Sequence, residues 1–154
     1  MKNTVIRFGL LGLLFGAIIF TLHLTLGVEN LEGSTHEILG YVSIFISLSF
    51  VFFGIKHYRD QVNNGTVSLG KAIFIGVLIS IFVGLGIAIA DFTYTKFIDP
   101  SFFSNYEKKL IEQGREDEII KMTSASAALF MLILVTVIGL IVSLISGLIL
   151  QRKN

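Results

Sequence analysis

Four apolar runs, at about residues 6–26, 38–55, 72–90 and 127–150, constrain this chain more than any other feature of its sequence. Each is long enough to cross a bilayer, which takes roughly 20 helical residues. Of the charged residue types only Arg7 falls inside a run, one residue from its boundary, where a long side chain can snorkel to the headgroups. With 53% apolar and 15% charged residues and a mean hydropathy of +0.81, the 154-residue chain lacks the composition of a soluble domain. The expected fold class is all-α: an integral membrane four-helix bundle, residues 1–154 forming one domain, with an amphipathic helical loop (91–126) between spans three and four. A cleaved signal peptide over the first run is the alternative there, since Lys2 and Arg7 precede it. Its length exceeds the usual h-region, and its glycines suit helix packing, so an uncleaved span is preferred.

Charge distribution gives an orientation. Lys2, Arg7, Lys56, Arg59, Lys71, Arg152 and Lys153 fall on one side of the four spans, with Asp60 as that side's single acid. The other side has Glu29, Glu32 and Glu37 in the first connection and a mixture of both signs in the third. The positive-inside rule then places both termini and the 56–71 turn in the cytoplasm, as an even number of spans also requires. Absence of Cys excludes disulfides, thiolate metal sites, iron–sulfur clusters and a lipidated N-terminal Cys.

Small residues recur at a spacing of four, which keeps them nearly on one helix face. Gly76, Ser80, Gly84 and Ala88 do so in the third span, and Gly139, Ser143 and Gly147 in the fourth. Gly12 and Gly16 in the first span and Ser43 and Ser47 in the second extend the pattern. In lipid such stripes let helices approach and gain van der Waals contact. They serve packing within the bundle, or else one of them forms a homodimer face.

The connections differ in kind. Asn63-Asn64-Gly65 is a strong turn signal, and the Asn64-Gly65-Thr66 sequon lies on the cytoplasmic side, where it is accidental. In the long loop, Asp99-Pro100 forms a good helix start. Phe103, Tyr106 and Leu110 follow as an apolar stripe, predicting an amphipathic helix over 100–113 on the outer membrane surface, with Gly114 ending it. A second charged helical stretch over about 115–126 is expected to lead into the fourth span.

Several motifs suggest chemistry and fail on their surroundings. Gly65-Thr-Val-Ser-Leu-Gly70-Lys71 has the spacing of a phosphate loop, but no strand precedes it, Ala72 stands where magnesium needs Ser or Thr, and a membrane span follows. His36-Glu37 opens a zinc-hydrolase motif whose second His is replaced by Gly40. The basic collar of Lys56, His57, Tyr58, Arg59 and Lys71 suits anionic lipid headgroups, and nucleic acid would need a larger surface. No cofactor, metal, nucleotide or nucleic acid is expected. The remaining candidate is a polar cluster at the outer end of the bundle, made of His23, Glu37, Tyr41 and Asp91. Ionisable groups in a span are expensive and usually paired or functional, so the cluster reads as a cation, proton or small-solute site. Alternatively all four are interfacial, with Tyr41 in an aromatic belt.

The run from Glu37 to Tyr41 through SLSFVFFGIKHYRD (47–60), Asn64-Gly65 and VSLGKAIFIG (67–76), with FIDPSFFSNYEKKL (97–110), resembles the bacterial membrane family catalogued as domain of unknown function 4199. The resemblance implies a four-span protein of the bacterial inner membrane and carries no catalytic residues. Two functional classes follow. One is a non-enzymatic protein acting through helix packing or contacts with itself or a membrane partner. The other is a small oligomeric transporter or channel using His23, Glu37 and Asp91. No nucleophile, base and orienting group occur together, so an enzyme is not expected.

Overall fold

A computed structural model describes residues 1–27 and 33–152; the side chains of 33–37 lie outside that description. Five helices account for most of it: α1 (Lys2–Gly27), α2 (Gly33–His57), α3 (Leu69–Thr93), α4 (Phe102–Glu112) and α5 (Ser124–Leu150). All but α4 are long and apolar enough to cross a membrane. In lipid a backbone must satisfy its own polar groups, and a continuous helix does so. The protein is thus an all-α, multi-pass membrane protein. Its helices run beyond the apolar runs, and α2 and α3 each finish in a π-type turn, over Tyr58–Val62 and Tyr94–Ile98.

α3 is the central helix, packing most extensively against α5 and α1 and less against α2. It runs parallel to α1, with Gly12 against Val83 and Gly16 against Ile87, and antiparallel to α5. The α3–α5 contact is reciprocal: Gly76 receives Ser143, and Gly139 receives Ser80. Further along, Gly84 lies against Leu132 and Gly147 against Leu69 and Ala72. Ser80 and Ser143 are fully buried, and Ala88 is buried too. Both small-residue stripes are therefore occupied within one chain. Between them lies a core of Leu48, Val51, Ile55, Ile75, Ile79, Val83, Ile87 and Val135, all fully buried.

Hydroxyl groups in the spans turn back on their own helices. Ser80 Oγ donates to the Gly76 carbonyl (2.8 Å), Ser143 Oγ to Gly139, Ser47 Oγ to Ser43 and Thr136 Oγ1 to Leu132 (2.7 Å). Thr21 and Ser43 do the same to Ala17 and Leu39. The packing of the stripes is consequently steric rather than hydrogen-bonded.

At the basic end, carrying Lys56, Arg59, Lys71 and Arg152, Asn64 and Gly65 both take positive φ (50° and 78°) to make the tight turn. The Asn63 side chain donates to the Thr66 carbonyl at 2.8 Å and fixes that turn. Val67 and Arg152 exchange backbone hydrogen bonds (3.2 and 3.0 Å), while Arg59 pairs with Asp60 and reaches the Leu150 carbonyl. This clamps the end of α5 to the α2–α3 turn.

At the opposite, loop end, two expectations are corrected. Asp91 lies within the third span, which continues to Ile98, rather than at the start of the connection. The predicted second helix over 115–126 is absent: only a short 3-10 turn, Glu116–Glu118, forms, and the chain then runs extended to Thr123. Thr123 makes a reciprocal capping box with Ser126, which requires a non-helical backbone at Thr123 and so starts α5 at Ser124. The expected amphipathic helix is present as α4, two residues later than its Asp99-Pro100 signal. Asp99 Oδ1 accepts from the Ser101 amide (3.1 Å) and hydroxyl (2.6 Å), holding a turn that leads into it. α4 docks on the bundle. Leu110 is buried, and the Phe102 ring meets Tyr94 edge-on at 6.0 Å.

Candidate functional site

The docked α4 covers a cavity of about 260 Å³ at the loop end. Helical periodicity supplies its walls. Phe20, His23 and Leu24 come from one face of α1, Gly40, Tyr41 and Ile44 from α2, and Ala127, Phe130, Met131 and Leu134 from α5. Asp91 enters from α3, Phe102 and Phe103 from α4, and Met122 from the extended connector.

Three of the four residues in the expected polar cluster thus line one cavity: His23, Tyr41 and Asp91. The side chain of Glu37 lies outside the described residues. His23 is half-buried, with its ring 5.7 Å from that of Phe20. Gly40 makes room for it: a Cβ there would sit 3.3 Å from His23 Nε2. Tyr41 is 52% exposed. Asp91 differs from both. It is only 6% exposed, and its Oδ2 is buried without a hydrogen bond among the described residues. Thr95, one turn on, bonds the Asp91 backbone carbonyl (2.8 Å) and leaves the carboxyl group alone. Among the described residues, every other lining side chain except His23 and Tyr41 is apolar, and none is Lys or Arg. A carboxyl group held this way is costly unless something matches it.

Five aromatic rings line the cavity: Phe20, Tyr41, Phe102, Phe103 and Phe130. Sequence reasoning selected the polar members and passed over this aromatic wall. A signal for part of it existed, since Phe103 belongs to the apolar stripe of α4. That Phe103 faces a cavity is a tertiary fact.

The remaining motifs resolve into structure. In the phosphate-loop lookalike, Gly65 and Asn64 form the turn, and Ser68 occupies the N-cap of α3 without a side-chain capping bond. Lys71 lies over the Tyr58 ring at 5.6 Å, a cation–π contact. His57 stacks obliquely on Phe8 at 5.3 Å. No cluster of three or more His, Cys, Asp or Glu suited to a metal ion occurs among the described residues.

A protein-family profile described as Protein of unknown function (DUF4199) matches residues 7–152, nearly the whole chain. Comparison with curated proteins and with solved structures finds no match.

Proposed function

The chain belongs to the DUF4199 family, and from that membership, which fixes no activity, we propose a non-enzymatic membrane protein that binds a small, largely apolar solute with a polar group in the loop-end cavity. The observation that carries this reading is the buried Asp91 Oδ2, without a hydrogen bond among the described residues, in a mostly apolar, aromatic pocket. A few polar groups in a concave apolar wall are the usual composition of a ligand site, and at about 260 Å³ this one suits a compact ligand. With the basic end in the cytoplasm of a bacterial inner membrane, the pocket faces outward. Contact with a second copy or another membrane protein draws less support, because the small-residue stripes that favoured it pack inside the chain. An oligomeric transporter or channel using His23, Glu37 and Asp91 needs a path toward the basic end, where Leu48, Val51, Ile79, Val83 and Val135 fill the interior. Nucleotide and nucleic acid have no place in this reading.

The chain contains no Trp, so Phe130→Trp installs a single tryptophan, excited selectively over the Tyr residues, in the pocket wall. In nanodiscs, titration with 2-phenylethanol is expected to give a saturable change in emission that Ala127→Phe, which fills the cavity, abolishes. A purely linear response, the same in both variants, would show only partitioning into lipid and sink the proposal.

A further inference from the structure

We propose that the solute bound in this cavity is an organic ammonium ion carrying an apolar substituent. The inference rests on the reading of the cavity as a ligand site and names the chemistry that the site selects.

Charge comes first. Asp91 presents a buried carboxylate oxygen with no hydrogen bond among the described residues; no described lining residue is Lys or Arg, and His23, in the same wall, does not hydrogen-bond that oxygen. A ligand that carries a cation supplies the missing match. Hydrogen bonds between an ammonium and a carboxylate are among the strong ones, and a low-dielectric wall strengthens them further.

The wall then decides what kind of cation it is. Calcium and magnesium take six or more oxygens or keep much of their water, and the only other oxygen-bearing side chain among the described lining residues is that of Tyr41. An alkylammonium ion needs fewer donors. Its charge is also attracted by the faces of aromatic rings, and aromatic enclosures are a known means of holding such groups. Five rings and one carboxylate combine both attractions, while Leu24, Ile44 and Leu134 provide a surface for an apolar substituent. The ammonium group could belong to a free amine or to the headgroup of a lipid; the chemistry is shared.

In phosphatidylglycerol nanodiscs carrying the Phe130→Trp reporter, Asp91→Asn, nearly isosteric, is expected to weaken 2-phenethylamine roughly tenfold, the scale of one charge-assisted hydrogen bond, and to leave the neutral 2-phenylethanol unchanged. Any attraction of the amine to anionic lipid is the same in both proteins and cancels. Phe103→Leu, on the loop helix rather than in the bundle, keeps the apolar surface and removes one ring face. It should weaken the amine by about threefold and the alcohol less. Amine binding that Asp91→Asn leaves unweakened would overturn the ammonium assignment while leaving a solute site standing. Saturable binding of neither compound would overturn both. Adding phosphatidylethanolamine to the discs separates the two sources: competition with the amine assigns the ammonium to a lipid headgroup, and undiminished amine binding assigns it to a free amine.

Discussion

A methyl group on Gly86 would run into the carbonyl oxygen, carbonyl carbon and Cα of Leu13, backbone atoms that no rotamer can move aside. Gly86→Ala is therefore expected to destabilise the bundle by about 1–3 kcal/mol, as overpacking typically does. Gly70→Ala provides the contrast, because nothing lies within 4 Å of a Cβ there and the helical backbone favours Ala by up to about 1 kcal/mol. Thermal unfolding in detergent should rank the pair in that order, and equal midpoints would show that the α1–α3 approach is not as close as described. The sequence does not distinguish the two by their packing. The stripe read in the third span takes in Gly84 and leaves out Gly86, which lies about 200° further round the helix. Asp91 shows the opposite failing. Hydropathy treats a charge as the end of a span, yet the helix continues about two turns past it to Ile98. That it shares a cavity with His23 and Tyr41 was legible from its position; that its Oδ2 has no hydrogen bond among the described residues was not, since that depends on which side chains the other helices turn toward it.

At the level of elements, the antiparallel pairing of α3 and α5 works by exchange: each offers a glycine to the other's serine. Gly139→Ala should cost about 1–3 kcal/mol through collision with Ser80. Ser80→Gly in the same chain should recover most of that loss, because Ser80 makes its hydrogen bond within α3 and contributes mainly bulk to the contact. Strict additivity of the two changes in a double-mutant cycle would disprove the pairing. The four long helices could be read directly, since lipid imposes one backbone solution on any long apolar run. The loop could be read only in part. Periodicity located α4, whereas the predicted helix after it fails for local reasons. Gly114 takes a left-handed φ of 70°, and Arg115 grips both carboxylate oxygens of Glu118 (2.9 and 2.6 Å), holding that carboxyl below its usual range. The Thr123 cap then fixes where α5 begins.

For the whole molecule, orientation is the property that gives the cavity its meaning, and a chain without Cys allows a clean measurement. With single cysteines, Ser104→Cys on exposed α4 should react with a membrane-impermeant maleimide added to intact cells. Asn64→Cys in the basic turn should react only after the membrane is opened. The reverse pattern would turn the pocket toward the cytoplasm and exclude any solute from outside. The self-bonded hydroxyls bear on how such a molecule is built. Chain order delivers α3 to the bilayer before α5, its principal neighbour, has been made. During that interval Ser80 has no glycine of α5 to fit against, but its hydroxyl already has an acceptor in Gly76, and α3 can wait in lipid without an exposed polar group. Thr21, Ser43, Ser47, Thr136 and Ser143 give the other spans the same independence. Asp91 differs: its Oδ2 has no hydrogen bond among the described residues, so insertion of α3 carries a cost there that the finished bundle alone does not remove.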